Sequence, residues 1–228
     1  MGTLYLVRHG QASFGADNYD QLSPLGTQQC QQLGRYFLAK GRQFDAVLSG
    51  TLVRHTQSLA AIVDGMGGPA SALAQLPVLQ LPGLNEYDSH AVITAVHPQP
   101  LAKPDSPELY RHHFRLLRQG LQAWMAGQTQ PQGMPSYAVF AAGVAAALDH
   151  VRSQCSGHVL LVSSGGPIAT AVGQVLGTAP AVSIELNMRL RNSAVTEFIS
   201  NPKRHALLSF NSLTHLDAAA FVDWETYA

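Results

Sequence analysis

Charge is scarce in this chain. Of its 228 residues only 12% are Asp, Glu, Lys or Arg, and 14 basic residues balance 14 acidic ones to a formal net charge of +0. A surface of that kind offers no positive field to gather a polyanion, so no nucleic acid is expected as a partner. Cysteine is scarcer still: Cys30 and Cys155 stand in polar or helical settings without a nearby partner, which argues against a disulfide framework or a cysteine zinc site. No apolar run approaches the roughly 20 residues of a membrane helix, and the amino terminus has no basic segment leading into a long apolar stretch. The expectation is a cytoplasmic protein with no membrane partner. Two catalytic signatures are also missing. Gly-x-Ser-x-Gly fails because Val162 stands two residues before Ser164, and no Gly-Lys-Ser/Thr follows Gly165-Gly166, which excludes a nucleophile elbow and a Walker-type loop.

What the chain does have is apolar material, 46% by count, in 228 residues: enough for one well-filled core, or one domain with a sizeable insertion. Short apolar runs alternate with helical patterns at both ends. Thr3 to Val7 is a strand followed by a polar loop to about Gln21, and Leu22-Ser23-Pro24-Leu25-Gly26 opens a helix through roughly Lys40. Ser23 has the chemistry of an N-cap and Pro24 of the first helical position. Asp45 to Ser49 reads as a second strand, with a helix through about Val63. Val159 to Val162 reads as a third, leading through Ser163-Ser164-Gly165-Gly166-Pro167 into the helix Ile168 to Leu176. Ala194 to Ile199 and Ala206 to Phe210 are further strands. The rhythm predicts an α/β protein. Residues from about Pro82 to Gly133 break it with prolines, histidines and one amphipathic stretch, Glu108 to Met125, and read as an inserted helical cap on a single domain spanning 1–228.

The chemistry gathers at strand ends. Arg8-His9-Gly10 closes the first strand, where open α/β sheets place their ligands. A neutral imidazole offers a ring nitrogen able to attack phosphorus, and the adjacent guanidinium presents forked donors to phosphate oxygens. Gly10 is expected to let the backbone pass close to a ligand. Arg54, just inside the second helix, is placed to point a second cation over the same edge. Ser163 to Pro167 brings hydroxyls and backbone N–H groups to a helix start, an anion seat. Glu86, in Leu84-Asn85-Glu86-Tyr87-Asp88, is a candidate general acid if burial raises its pKa, with Asp88 as a rival two residues on.

In this order the segments resemble the histidine phosphatase superfamily, the phosphoglycerate mutase-like fold, over nearly the whole chain. The motifs that carry the likeness are Arg8-His9-Gly10, Leu22 to Gly26, Ser49 to Gln57 with Arg54, Leu84-Asn85-Glu86 and Val162 to Gly166, with Asn192 to Phe198 and Asn211 to Leu216 as closing segments. The resemblance implies a three-layer α/β/α sandwich around a mostly parallel sheet. It also implies His9 as the nucleophile that becomes a phosphohistidine, Arg8 and Arg54 as holders of the phosphate oxygens with Ser164 and Gly165 beside them, and Glu86 as the acid that protonates the leaving alcohol. The substrate would be a small phosphomonoester. No cofactor and no metal are implied, because two arginines supply the positive charge. The oligomeric state is left open.

One position departs from the family. A second histidine normally stands between the serine and the paired glycines, and here that residue is Ser164. A hydroxyl is shorter than an imidazole and cannot become a cation, and loss of one preorganised donor costs about 10²–10³ in rate. No neighbouring histidine in the sequence clearly replaces it: His158 falls at the other end of its strand, about 16 Å away at strand rise. Ser164 is otherwise a natural helix N-cap. A phosphatase is therefore weighed against a phosphate-ligand or protein-binding module built on a weakened site. Mutase activity is the less favoured reading, because Gln11-Ala12-Ser13-Phe14-Gly15 lacks the Asn and Trp of the mutase-type extension. The remaining histidines make a poor metal site, since His112 and His113 on a helix point about 100° apart and Pro98 and Pro100 interrupt the spacing of His90 and His97.

Overall fold

The computed structural model describes residues 2–13, 20–101 and 106–227. Its centre is a six-stranded sheet built from β1 (Gly2–Arg8), β2 (Ala46–Ser49), β3 (Val78–Gln80), β4 (His158–Ser163), β5 (Val195–Asn201) and β6 (Arg204–Ser212), in the order β3-β2-β4-β1-β5-β6. The first four strands run parallel, and β5 and β6 are antiparallel additions at one edge. The fold is the mixed α/β sheet that the sequence rhythm predicts.

Its layers follow from the two-residue period of a strand. In β1, Leu4 and Leu6 face one side while Tyr5 and Val7 face the other; in β4, Val159 and Leu161 alternate with Leu160 and Val162 in the same way. Both faces are covered, which is why the central strands read as continuous apolar runs. Helix α1 (Pro24–Ala39) and helix α2 (Val53–Gly65) cover the Tyr5 face through Leu33, Phe37, Leu59 and Ile62. On the Leu4 face pack α5 (Tyr137–Gln154) and α6 (Gly165–Leu176), through Val144, Leu148, Ile168 and Val172. Each such side chain taken fully out of water contributes about 1.5–3 kcal/mol.

Ser23 caps α1 as its chemistry suggests, accepting from the Gly26 N–H at 3.0 Å, with Pro24 at the first helical position. The excursion after β3 holds two helices, α3 (Ser89–Thr94) and α4 (Pro107–Met125), separated by a segment that includes residues outside the described set. They pack on each other and, with Ile184 of α7 (Pro180–Asn187), form a separate apolar cluster around Leu117, Leu121 and Trp124. The sequence reading missed β3, only three residues long with Val78 and Leu79 largely exposed at the sheet edge, and also missed α7. No helix among the described residues is long and apolar enough to cross a membrane.

Candidate active site

Strand register creates the site. Arg8 of β1 lies beside Ser163 of β4, and Ser49 of β2 lies beside Val162, so the chains leave the sheet together at one carboxyl edge as His9, Gly50 and Ser164. Two backbone bonds extend the sheet past that edge: the His9 N–H donates to Ser163 O at 2.9 Å and the Gly50 N–H to Val162 O at 3.0 Å.

His9 is buried and held from several sides. Its carbonyl accepts from the Ser193 N–H at 3.1 Å and from Asn192 Nδ2 at 3.3 Å. Ser193 sits in the left-handed region at φ 56° and its hydroxyl pairs with His215 Nε2 at 2.9 Å, so His215 braces the loop behind His9. The decisive contact is within the ring: His9 Nδ1 lies 2.7 Å from Gly10 O. A carbonyl can only accept, so Nδ1 carries the proton and Nε2 presents its lone pair. Burial above all, and then the charges of Arg8 and Arg54 and the His55 ring, push the His9 pKa well below its usual value and keep the imidazole neutral.

The two arginines reach the site from different elements. Arg8 donates through Nη1 to Leu190 O. Arg54, buried in the first turn of α2, forms an ion pair with Asp20, Nη1 to Oδ1 at 2.8 Å. Asp20 also accepts from the Val53 N–H at 2.9 Å, serving the start of a helix whose N-cap, Leu52, has no side-chain bond to give. Ser58, one turn further along α2, donates to Arg54 O at 2.7 Å and accepts from the Gly10 N–H at 3.1 Å, tying the helix to the His9 loop.

Glu86 completes the group. Its carboxylate accepts from the Gly166 N–H at 3.1 and 3.2 Å, so the anion seat at the start of α6 is occupied by this side chain. Burial raises its pKa above the usual carboxylate value, against the opposing pull of the Gly166 bond, Arg54 and Arg8. The rival Asp88 is exposed and caps α3, accepting from the Ala91 N–H at 3.0 Å. Paired glycines are what make room here. A Cβ on Gly166 would stand 2.3 Å from Glu86 Oε1, and one on Gly165 would stand 2.3 Å from Asn187 Oδ1 and 3.7 Å from Arg8 Nε.

The geometry therefore brings Arg8, His9, Arg54, Glu86, Ser164 and Gly165 to one edge, and it changes the account of two residues. Gly10 has no positive φ; its missing Cβ lets the backbone of the His9 loop touch that of α1, where a Cβ would lie 2.2 Å from Gly26 O. Ser164 occupies the N-cap position of α6 but makes no cap bond with its side chain. Its hydroxyl instead meets His55 Nε2 at 2.7 Å. His55 and Asp20 were overlooked in the sequence. The signal for His55 was present as a second imidazole next to Arg54, in a chain that lacks one at position 164. The segment Gln11 to Gly15, read for its lack of mutase residues, extends at Phe14 and Gly15 outside the described residues. Among the described residues no cluster of three or more His, Cys, Asp or Glu side chains is placed to hold a metal ion.

The parallel part of this mixed α/β sheet sets, at its carboxyl edge, a buried neutral imidazole among two arginines. The sequence pattern of the histidine phosphatase superfamily (branch 1) matches residues 4–213, and the chain belongs to that superfamily. A 2,3-bisphosphoglycerate-dependent phosphoglycerate mutase of Rhizobium etli is 33% identical over 102 residues, 40% of this chain and 48% of that protein. The chain thus spans about half the length of the curated relatives it matches. The fold is shared with a mutant of a phosphoserine phosphatase from Entamoeba histolytica in complex with phosphoserine, at TM-score 0.63 and 20% identity over 95% of this chain and 100% of that one. It is shared too with the alpha-ribazole phosphatase of Shigella flexneri, at TM-score 0.61 and 19% identity over 92% and 96%.

Proposed function

We propose that the chain is a phosphomonoester hydrolase that works through a phosphohistidine on His9. The observation that carries this reading is the Nδ1 bond to Gly10 O, which leaves a neutral ring with its Nε2 lone pair free to attack. In the first step Nε2 bonds to phosphorus, the bond from phosphorus to the leaving oxygen breaks, and that oxygen takes the proton of Glu86. In the second, water attacks the phosphohistidine, Glu86 takes the proton from water, and inorganic phosphate leaves His9 neutral again. Arg8 and Arg54 gather the charge of the transferring group, with Ser164 and Gly165 beside them.

The relatives are named for phosphoserine, alpha-ribazole phosphate and phosphoglycerate, all small phosphorylated molecules, and the same substrate class is proposed here. Helices α3 and α4 act as the cap on a single domain. They meet the site through Tyr87, next in sequence to Glu86, whose ring lies 6.0 Å from that of Trp124 and whose hydroxyl accepts from Asn187 Nδ2 at 2.8 Å. Substrate choice is assigned to this face. The alternative, a binding module without turnover, draws its support from Ser164. Release of phosphate from an aryl phosphate, with label trapped on the protein in acid-quenched reactions, tests the choice between them. Wild type is expected to give both signals and His9→Ala neither; equal rates in the two proteins would reject the hydrolase.

A further inference from the structure

His55 is an imidazole that the mechanism above does not use. It is fully buried, its ring centroid is 5.8 Å from that of His9, and its Nε2 is the one partner of the Ser164 hydroxyl among the described residues. Its other nitrogen, Nδ1, is buried without a hydrogen-bond partner. The ring exists there because Gly50 is a glycine: a Cβ at position 50 would stand 2.2 Å from Nδ1 and 2.6 Å from Cε1. Three residues from three separate elements, Gly50 after β2, His55 in α2 and Ser164 after β4, are therefore fitted to one another at the sheet edge that holds His9.

The unpartnered nitrogen decides where the proton sits. A buried N–H with no acceptor is rarer and more costly than a buried lone pair with no donor. The proton accordingly lies on Nε2 and is donated to Ser164 Oγ. That leaves the hydroxyl's own proton directed away from His55, in a residue that does not spend its side chain on capping α6 and that follows Ser163, whose carbonyl holds the His9 N–H.

We propose that His55 is a positioning residue: it donates from Nε2 to Ser164 Oγ and so aims the Ser164 hydroxyl proton at the phosphoryl oxygens beside His9, the pair together doing the work of the single histidine that Ser164 replaces. The inference rests on the hydrolase reading. It also explains how Ser164 can stand where the family has a histidine: the imidazole has moved to the neighbouring helix, and the shorter side chain fills the distance.

The test measures kcat and KM on an aryl phosphate for wild type, His55→Ala, His55→Gln, Ser164→His and the double variant H55A/S164H, with urea midpoints recorded for each. His55→Ala is expected to lower kcat about 10–100-fold with KM changed less than about threefold, the signature of a contact made in the transition state. His55→Gln, which keeps an N–H donor, should recover a large part of that loss. Ser164→His alone should lower kcat, because two rings would compete for one space, whereas H55A/S164H should exceed either single variant by about tenfold or more. Turnover in His55→Ala within about twofold of wild type, or a double variant as poor as the product of the two single losses, overturns the proposal. Wild-type turnover no higher than that of His9→Ala would reject the hydrolase reading instead. In that case orthovanadate binding by calorimetry decides the role of His55: a loss of about tenfold in His55→Ala that H55A/S164H restores supports it, and unchanged affinity overturns it.

Discussion

At the scale of single residues, the site separates protons by environment. His9 is pushed toward the neutral ring and Glu86 toward the protonated carboxyl, the opposite displacements that a nucleophile and an acid require. The sign follows directly. In the proposed mechanism His9 acts once deprotonated, which its lowered pKa allows across the neutral range, and Glu86 acts as an acid only below its raised pKa. Activity toward an alkyl phosphate, whose alkoxide needs the proton, should therefore fall as pH rises through the Glu86 pKa. Glu86→Gln should lose that alkaline limb and about 10²–10⁴ in kcat/KM on the alkyl substrate, with a smaller loss on an aryl phosphate whose phenolate leaves unaided. An alkaline limb that persists in Glu86→Gln would remove Glu86 from the acid role. That His9, Arg8, Arg54 and Glu86 would come to one sheet edge was legible in sequence because each belongs to a strand end or a recognisable motif. His55 was not, because its meaning depends on a tertiary contact with Ser164 across 109 positions.

At the scale of elements, the position of His9 is set by backbone contact between a loop and a helix. Gly10 and Gly26 form a close pair in which a Cβ on Gly26 would lie 2.1 Å from Gln11 O, and Ser58 clamps the same loop to α2. These contacts involve backbone atoms that cannot rotate away. Gly26→Ala should therefore displace the His9 loop, costing about 1–3 kcal/mol by urea denaturation together with a drop in kcat of at least about tenfold. A stable variant with wild-type turnover would show that the loop tolerates the shift. Helices α1 and α4 were read closely from capping chemistry and apolar period: α1 starts at Pro24 after its Ser23 cap, and α4 covers the amphipathic stretch up to Met125. Short ones escaped. β3 has three residues and an exposed face, and α7 has only eight residues and an N-cap, Ala179, that carries no polar side chain. Beyond Pro180 at the start of α7 neither offers a local signal, since β3 is defined by pairing with β2 and α7 by packing on α4 and α6.

At the scale of the whole molecule, burying imidazoles at the sheet edge ties folding to pH. His55 and His215 are both held neutral, each with its pKa pushed down to about 3, chiefly by burial and, for His55, by the Arg54 charge as well. In the unfolded chain both titrate near pH ~6.5. Between about pH 6.5 and 3 the unfolded state thus binds protons that the folded state refuses, and stability falls as pH falls through that window. Each histidine contributes about 1.4 kcal/mol per pH unit once below the unfolded value, so the pair should cost about 2.5 kcal/mol between pH 7 and 5.5. His9 adds to the same trend, while the raised pKa of Glu86 opposes it only nearer the carboxylate range. Urea denaturation at the two pH values measures the difference. His215→Phe, which keeps an apolar ring of similar breadth behind Ser193, should flatten the pH dependence by about a third even if it lowers stability at pH 7. An unchanged slope in that variant would mean that His215 is not among the groups that couple protonation to unfolding.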